Sequence, residues 1–391
     1  MKRENTGNYA TTTVGGENVR AFVPNPLPPD PPITWSAELV QKQEEAAIAL
    51  GRLDSMTSFL PEPSLFLYSY VRKEAVLSSQ IEGTQSSLSD LLAFENAESP
   101  GLPENGDVIE VSNYVSAMEH GLKRLRGDFP LCLRLIREIH EILLSKGRGH
   151  AKQPGTFRTS QNWIGGTRPG NAIYVPPPHH RLSDCLGSFE KFLHDEKIPV
   201  LEKAALAHVQ FETIHPFLDG NGRVGRLLIT LLMCWQSALH QPLLYLSLYF
   251  KKHRSVYYDL LQKVRAEGDW EAWLIFFFEG VRETADEAVA TAKSLLSLYK
   301  KDQERLLRKG RVAGSILQVH HYFQGSPLCS SNRVVKALKL SPATVNKALD
   351  YLQEMKILRE ITGKQRDRLF SYQKYLQILN EGTEIEHGYK G

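Results

Sequence analysis

HPFLDGNGRVGR, at residues 215–226, joins two stretches of helical periodicity. One apolar-periodic helix is predicted from about Pro199 to Ile214, and a second helix is predicted to begin near Arg223. Glycine and asparagine tolerate positive φ, so the backbone between the helices can turn sharply. Amide groups in such a turn, together with the positive end of the following helix, form a concavity that binds anions. The stretch therefore predicts two helices joined by an anion-binding turn.

Four side chains of this turn suit a metal-bound polyphosphate. Arg223 and Arg226 are three residues apart, so they lie on one face of the second helix. Asp219 offers oxygen ligands to a hard cation such as Mg²⁺, and His215 is a base that titrates near neutrality. A turn with a purely structural role needs a glycine and a cap but none of these charges. The glycine spacing also matches the dinucleotide fingerprint, which is rejected because that fingerprint must follow a strand.

At every fixed position the stretch matches HxFx(D/E)GNGRxxR, so the chain resembles the Fic (Fido) family, most of whose members transfer AMP from ATP to protein hydroxyls. The resemblance covers roughly residues 20–300 and implies a mainly α fold, a Fic helical core with a small β-hairpin flap. It also implies His215 as the catalytic base, Asp219 as the ligand of Mg²⁺, and ATP as the substrate. The residues that it implies in ATP binding are Gly220, Asn221, Gly222, Arg223, Val224, Gly225, Arg226 and Tyr257.

The assignment of Tyr257 has an alternative. Tyr257 and Tyr258 lie on a helix predicted from about Tyr249 to Arg265. In relatives, one tyrosine of such a pair stacks on adenine, and aromatic stacking on a base is favourable. Two tyrosines on one helix can equally belong to the core, so both interpretations stay open.

A second motif, SSQIEG at residues 78–83, closes a helix predicted from Ser64 to Ile81. Ser78 and Glu82 are four residues apart and share a face, while Gly83 is a helix stop. Such a pair taken alone is usually solvated. Beside the first motif it resembles the (S/T)xxxE(G/N) inhibitory helix, placed N-terminal to the core as in the second class of Fic proteins. The resemblance implies that Glu82 pairs with Arg226 and occupies the space that a γ-phosphate needs.

Residues 157–166 and 172–176 are predicted to form two short strands joined by a turn at residues 167–171. In the family this hairpin is a flap, whose edge pairs with a segment of the target protein by strand addition. The alternative is a hairpin that only covers the core. Neither lysine nor proline protects the edge at Tyr174 and Val175, so we expect it to be available. The residues expected to dock the target are Ile164, Gly165, Gly166, Thr167, Ile173 and Tyr174.

The pattern along the chain predicts four regions. Residues 1–33 form an extended, proline-rich N-terminal arm, because proline fixes φ and restricts the residue before it. Residues 34–106 form an N-terminal helical region that contains the inhibitory helix. Residues 107–300 form the catalytic core, and residues 311–391 form a winged helix-turn-helix domain.

The C-terminal domain is predicted from three helices followed by two strands around a basic turn. Its basic residues outnumber its acidic ones, as contact with nucleic-acid phosphates requires. Winged helices also serve as protein-docking modules, so a DNA partner and a protein partner both stay open. The basic residues are Arg333, Lys336, Lys339, Lys347, Lys356, Arg359, Lys364, Arg366 and Arg368.

Composition narrows the class of protein. A hydrophobic content of 42% and a charged content of 23% are ordinary for a soluble globular chain of 391 residues. A net charge of +3 is too small to indicate a nucleic-acid binder by itself. The four cysteines are widely scattered without metal spacing, so we expect reduced thiols in the cytoplasm. No apolar run is long enough to predict a signal peptide or a membrane span.

The sequence therefore predicts a protein adenylyltransferase that transfers AMP from ATP to Ser, Thr or Tyr hydroxyls of target proteins and of itself, inhibited by Glu82. The alternative is a DNA-binding regulator whose Fic core only senses nucleotide. The intact His215 argues against that alternative, because nucleotide sensing needs no base. The sequence leaves open the target protein, the oligomeric state (a homodimer included), AMP removal by the same site, and transfer of a group other than AMP.

Overall fold

A computed structural model of the protein describes residues 3, 6–59, 63–96, 106–308, 313–364, 368–381 and 383. The fold is mainly helical, with 64% of the chain in helices, which confirms the predicted fold class. No helix among these residues is long and apolar enough to cross a membrane.

The N-terminal arm is not simply extended. It contains an antiparallel hairpin of β1 (Gly7–Val14) and β2 (Glu17–Pro24), in which Gly7 pairs with Pro24 and Val14 with Glu17. A two-residue Gly15–Gly16 turn with both φ angles positive joins the strands, as such turns require. The prediction of a wholly extended arm over residues 1–33 is therefore wrong for its first part, because threonine-rich alternation favours a strand here.

The first half of the helical core contains five helices among the described residues, and the second of them lies within one residue of the helix predicted from Ser64 to Ile81. Its helices are α1 (Ala37–Phe59), α2 (Pro63–Ile81), α3 (Leu88–Asn96), α4 (Gly106–Arg126) and α5 (Leu133–Leu143). The second half adds α6 (Leu182–Leu193), α7 (Val200–Ile214), α8 (Asn221–Trp235), α9 (Ser247–Lys252), α10 (Arg254–Glu267) and α11 (Trp270–Leu307). The single helix predicted from Tyr249 to Arg265 is divided into α9 and α10 near His253, where φ is −114° and ψ is 38°.

Helices α7 and α8 lie at the centre of the core. Every residue from Leu201 to Ile214 is buried, because α6, α8, α10 and α11 all pack against α7. Helix α7 is thus buried on every side although it carries polar residues such as Glu202, Lys203 and His208. The turn between α7 and α8 is therefore held by a rigid, fully packed scaffold.

The region predicted as a hairpin flap is less regular than expected. It contains one isolated bridge, between Ile164 and Tyr174, and a short 3₁₀ turn at Pro169–Asn171. Positive φ at Gly165 and Gly166 interrupts the extended backbone, so the two predicted strands do not form. The two-stranded sheet of this half of the molecule is β1–β2 instead.

The flap edge is also not wholly available. The Phe22 amide in β2 donates to the Val175 carbonyl oxygen over 2.9 Å, and Glu17 forms a 2.8 Å ion pair with Arg168. The expectation of an open edge at Val175 is therefore wrong, because the chain's own N-terminal hairpin pairs there.

The C-terminal unit contains α12 (Ala313–Gly325), β3 (Leu328–Ser330), α13 (Ser331–Leu338), α14 (Pro342–Glu354), β4 (Arg359–Glu360), β5 (Leu369–Ser371) and α15 (Gln373–Asn380). Its antiparallel sheet has the order β3-β5-β4. Ser341 caps α14 by accepting the Thr344 amide over 3.2 Å, and Pro342 occupies the first helical position. Three helices and two wing strands appear as predicted, while β3 and α15 were not expected. Arg366 lies outside the described residues.

Candidate active site

The turn between α7 and α8, which we call the catalytic turn (residues 215–221), begins at a strained residue. His215 ends α7 in the left-handed conformation, with φ of 49° and ψ of 61°. Such a conformation is costly for a non-glycine residue and persists only where neighbours enforce it. The His215 amide donates to the Phe211 carbonyl over 2.9 Å, and the His215 carbonyl accepts from Arg158 Nε over 2.9 Å. The backbone of His215 is thus fixed from two sides.

Asn221 closes the catalytic turn with its side chain. Its Oδ1 accepts the Phe217 amide and its Nδ2 donates to the Phe217 carbonyl, each over 2.8 Å. Gly220, with φ of 78°, precedes the first residue of α8. Asn221 was expected to bind ATP. Its side-chain groups bind the backbone of Phe217 instead, so the side chain shapes the turn.

Arg226 is buried and bound to the end of α2. Its Nε donates to Ser78 Oγ over 2.9 Å, and its Nη2 donates to the Ser78 carbonyl over 3.0 Å. The same Nη2 donates to Glu82 Oε1 over 2.6 Å. The structure thus brings together the two motifs that the sequence analysis connected, and Gly83, with φ of 96°, follows as the helix end.

The Glu82 carboxylate lies close against the start of α8. A Cβ atom on Gly222 would come within 2.2 Å of Glu82 Oε1, so only glycine permits this approach. Burial opposes ionisation of Glu82, but the charge and the hydrogen bond of Arg226 outweigh it and lower the pKa of Glu82 below its usual range. The carboxylate is therefore an anion bound to Arg226 beside the first turn of α8.

Arg223 has a carboxylate partner that the sequence did not indicate. Its Nη1 donates to Glu110 Oε2 over 3.0 Å, and both side chains are buried. Arg148 lies on the outer side, with Nη2 at 3.3 Å from the same Glu110 oxygen and 3.3 Å from the Glu82 carbonyl. Arg223 Nη2 is 3.7 Å from Asp219 Oδ1. The arginine is thus held between two carboxylates at the rim of the catalytic turn.

Asp219 is the acidic side chain of the catalytic turn that can meet a cation. Its side chain is 34% exposed, and its Oδ1 accepts the Gly220 amide over 2.6 Å. No cluster of three or more His, Cys, Asp or Glu side chains with metal-binding geometry occurs in the part of the chain that the structure describes. Mg²⁺ commonly binds through one or two carboxylates plus substrate phosphates, so a single half-exposed aspartate fits that ion only together with a nucleotide.

His140 supports the backbone of Asp219. The Gly155 amide donates to His140 Nδ1 over 2.9 Å, so the ring proton is on Nε2, which donates to the Asp219 carbonyl over 3.0 Å. The imidazole stacks on Phe217 with 3.6 Å between ring centroids and an angle of 6°. Burial lowers the pKa of His140 to about 4, so it is neutral at physiological pH. It therefore acts as a fixed support for the turn.

The imidazole of His215 is neutral and largely enclosed. Its side chain is 18% exposed, and burial together with the charges of Arg265 and Arg158 lowers its pKa to about 3, so the expectation that His215 titrates near neutrality is wrong. Nδ1 is buried without a hydrogen-bond partner among the described residues, and the nearest carboxylate oxygen, Glu212 Oε2, is 4.0 Å away. Burial raises the pKa of Glu212 to about 7. Nε2 is consequently the nitrogen that remains for a substrate.

Two further positions of the first motif are packing positions. Val224 is completely buried in the core. A Cβ atom on Gly225 would come within 2.5 Å of Glu212 Oε1, so glycine is required where α8 crosses α7. Both residues were expected in the ATP-binding set, and the structure places them behind the amides of the turn.

The flap is attached to the catalytic turn by polar groups. Tyr174 donates its hydroxyl to the Thr213 carbonyl over 2.7 Å, and Asn162 Nδ2 donates to the Phe217 carbonyl over 3.0 Å. Arg158 Nη2 donates to the Pro177 carbonyl over 2.6 Å, which links the far end of the flap to the same turn. The Ile173 side chain, by contrast, is 73% exposed. Thr167, at the tip, is bound through its amide to Asn171 Oδ1.

The expectation that Tyr257 stacks on adenine does not agree with its placement. Its side chain is 1% exposed, its hydroxyl lies 2.8 Å from His208 Nε2, and its ring stacks on Phe250. The core interpretation of this residue is the one that the structure supports. Tyr258 is 42% exposed, so it is the tyrosine of the pair that can meet a ligand.

Sequence reasoning missed three functional neighbours of the turn: Glu110, His140 and Arg158. Each lies between 50 and 120 residues away from its partner in the catalytic motif. A charged or polar residue on the apolar side of an amphipathic helix was the available signal for Glu110 and His140. Arg158 had no such signal, because it lies in an irregular segment.

Comparison with known proteins gives a consistent result. Residues 40–123 match the Fic/DOC family N-terminal region, and residues 130–233 match the Fic/DOC family itself. The protein adenylyltransferase Fic of Aedes aegypti is 33% identical over 219 residues, which cover 53% of this chain and 39% of that protein. The protein of the same name from Culex quinquefasciatus is 32% identical over 216 residues, with the same coverage.

The chain thus spans about 39% of the length of these curated relatives. A crystal structure of a Fic family protein from Desulfovibrio desulfuricans G20 aligns with a TM-score of 0.57 and 21% identity, over 87% of this chain and 97% of that one. This likeness concerns the fold alone. Residues 40–123 and 130–233 thus correspond to a Fic N-terminal region and a Fic domain.

Proposed function

We propose that this protein is an adenylyltransferase that transfers AMP from ATP to a Ser, Thr or Tyr hydroxyl of a protein. The observation that carries the proposal is a neutral imidazole, His215, in a rigid turn that leads directly into the helix carrying two buried arginines, Arg223 and Arg226. An anion site needs no base, whereas group transfer to a hydroxyl does. The relatives named protein adenylyltransferase Fic support the same reaction.

The phosphate chain of ATP is assigned to the start of α8. The amides of residues 220–222 and the positive helix end face an anion there. Arg223 supports the phosphate chain, and Arg226 takes the γ-phosphate when Glu82 leaves it. Asp219 would hold Mg²⁺, which neutralises phosphate charge when bound. Tyr258 is assigned to the adenine side, in place of the buried Tyr257.

The transfer step is a displacement at the α-phosphorus. The target hydroxyl oxygen attacks this atom, the bond to the bridging oxygen of the β-phosphate breaks, and pyrophosphate leaves. His215 Nε2 accepts the hydroxyl proton. Because the imidazole is neutral at physiological pH, it is ready to accept that proton without prior ionisation. Fixed positioning supplies much of the remaining acceleration.

Inhibition by Glu82 is part of the proposal. Glu82 Oε1 and a γ-phosphate compete for the same Nη2 of Arg226. While Ser78 and Glu82 bind this arginine, ATP lacks a γ-phosphate partner and its α-phosphorus is turned away from in-line attack.

The remaining assignments follow from exposure. The flap, with Ile173 exposed, is assigned to the target protein, and the C-terminal unit to a DNA or protein partner. Two of its predicted phosphate-contacting cations are bound within the chain: Arg333 to Asn96, and Arg368 to Asp350.

All four cysteines are free, as a reducing cytoplasm would keep them.

Incubation of the Glu82→Gly variant with ATP labelled at either the α- or the γ-phosphate tests the reaction. We expect protein-bound label only from the α-labelled nucleotide, with a mass increase equal to one AMP. Label from the γ-phosphate instead would mean phosphoryl transfer. No label from either nucleotide, on the protein itself or on proteins of a cell extract, would refute the proposed function.

A further inference from the structure

Helix α2, which ends in the inhibitory motif, lies between the helical core and the C-terminal unit. On the core side, the Tyr70 hydroxyl donates to the Ala288 carbonyl in α11 over 2.7 Å. On the other side, Ser69 Oγ and the Tyr375 hydroxyl share a 2.8 Å hydrogen bond, and both groups are buried. One helix thus forms part of two interfaces.

The Tyr375 contact is part of a packed aromatic cluster. Its ring stacks on Tyr299 of α11, with 5.8 Å between centroids and an angle of 18°. The neighbouring Tyr372 donates its hydroxyl to Asp302 of α11 over 2.8 Å. Helix α15 is therefore docked on α2 and α11 by buried tyrosines with satisfied hydroxyls, which is a specific interface.

A second contact reaches the last turn of α2. Gln80 Nε2 donates to the Thr383 carbonyl and to the Ser86 carbonyl, each over 3.1 Å. Gln80 is two residues before Glu82, and its own carbonyl accepts the Gly83 amide over 3.0 Å. The C-terminal end of the described chain thus binds the same turn that presents Glu82 to Arg226.

A third contact secures the segment that follows the motif. Arg333 Nη1 in α13 donates to the Glu95 carbonyl and to Asn96 Oδ1 at the end of α3, each over 2.8 Å. Asn380 Nδ2 donates to Ser89 Oγ over 3.3 Å. Both ends of the α2–α3 segment are consequently bound to the C-terminal unit.

We infer that the C-terminal unit clamps the inhibitory helix, so that moving this unit releases Glu82 from Arg226. Displacing it would leave the buried Ser69 hydroxyl without its partner and would remove one of the two acceptors of the Gln80 amide, and an unpaired buried group is costly. The end of α2 would then open locally. The effect on activity rests on the proposed function, whereas the effect on α2 does not.

The test uses the full-length chain with the double substitution Tyr375→Phe and Arg333→Ala. Tyr375→Phe removes the hydroxyl that binds Ser69 and keeps the ring, and Arg333→Ala removes the bonds to α3. Lys374→Ala, an exposed lysine on α15 beside Tyr375, is the matched control. The Tyr375→Phe single variant serves if the double variant does not fold.

Hydrogen–deuterium exchange of the peptide covering residues 76–84 is measured first, without nucleotide. We expect exchange at least about threefold faster in the double variant and unchanged in the control, since each lost bond is a modest net contribution. Self-modification with α-labelled ATP should also rise in the double variant and stay unchanged in the control. It should stay below that of Glu82→Gly, which removes the carboxylate itself.

Unchanged exchange in residues 76–84 would overturn the inference, whether or not residues 373–380 exchange faster. So would faster exchange of residues 76–84 without more self-modification, provided that Glu82→Gly is active. If Glu82→Gly incorporates no label either, the proposed function fails, and the exchange result still decides whether the clamp exists.

Discussion

The catalytic turn and the flap (residues 157–176) face the same site but are held in opposite ways. In the turn, Asn221 binds both backbone groups of Phe217, and the His215 backbone is fixed at both its amide and its carbonyl. The two halves of the flap are joined to each other by one isolated bridge, between Ile164 and Tyr174, and the Ile173 side chain is 73% exposed. The turn is thus fixed at its backbone, whereas the flap leaves a large apolar side chain in solvent.

The difference also lies in where the supporting residues come from. The turn is shaped by residues within a few positions of one another, and distant groups such as His140 then support it. The flap depends on a strand, β2, that is about 150 residues away in sequence. A local motif can predict the first arrangement but not the second.

The largest expected effect is at the turn. His215→Ala should lower AMP transfer by about 10²–10⁴-fold, because the hydroxyl proton loses its acceptor. ATP affinity should stay nearly unchanged, because amides and arginines bind the nucleotide. Transfer is measured with α-labelled ATP in the Glu82→Gly background, and affinity by calorimetry. His180→Ala, an exposed histidine outside the site, is the control, and loss of ATP affinity along with transfer would break the division of roles.

The buried histidines of the turn and its scaffold should make the fold sensitive to acid. Burial lowers the folded-state pKa of His140 to about 4, and those of His208 and His215 to about 3. The unfolded chain takes up protons near pH 6.5, so the full stability is present above that pH and is lost as the pH falls toward 4. Each histidine should remove about 1.4 kcal/mol of unfolding free energy per pH unit in this range.

Urea unfolding followed at several pH values measures this slope. In His140→Gln the side chain cannot titrate. This variant should therefore reduce the slope of unfolding free energy against pH by the contribution of one histidine. Because the raised pKa of Glu212 acts in the opposite direction over the same range, the decisive comparison is between variant and parent. A His140→Gln variant with the same slope as the parent would contradict the neutral, buried state of this histidine.

Removing the inhibitory carboxylate should raise activity. Glu82→Gly frees Arg226 for the γ-phosphate, and a charge-assisted contact of a few kcal/mol corresponds to an activation of about tenfold or more. Self-modification with labelled ATP is the measurement. Adding Arg226→Ala should remove this increase in activity, because no guanidinium is then left to bind the γ-phosphate. A Glu82→Gly variant no more active than the parent would end the inhibitory interpretation and leave the catalytic one standing.

The smallest expected effect is at the flap. Ile164→Pro removes the amide that donates to the Tyr174 carbonyl over 2.8 Å, and should lower protein modification a few-fold while leaving ATP affinity unchanged. Ile164→Val keeps the amide and is the control. Should Ile164→Pro weaken ATP binding as well, the flap and the turn would not be the separate elements described above.

Much of the fold followed from sequence because its causes are local. The periodicity of α2 and α7 and the start of α8 after the glycine-rich turn are properties of consecutive residues, and the structure has them where expected. Other features depend on tertiary packing. These are the division of α9 from α10, the N-terminal hairpin and the pairing of that hairpin with Val175. Likewise, the motif placed Arg226 beside Glu82, but only the packed core reveals that Tyr257 faces His208.

The central claim is that Glu82 and the γ-phosphate compete for Arg226. Calorimetry of ATP and ADP in a His215→Ala background, where the nucleotide is not consumed, tests it directly. With Glu82 present, the two nucleotides should bind about equally, because the γ-phosphate finds no arginine. With Glu82→Gly added, ATP should gain about tenfold or more over ADP, and Arg226→Ala should remove that preference. An equal preference for ATP with and without Glu82 would contradict the account.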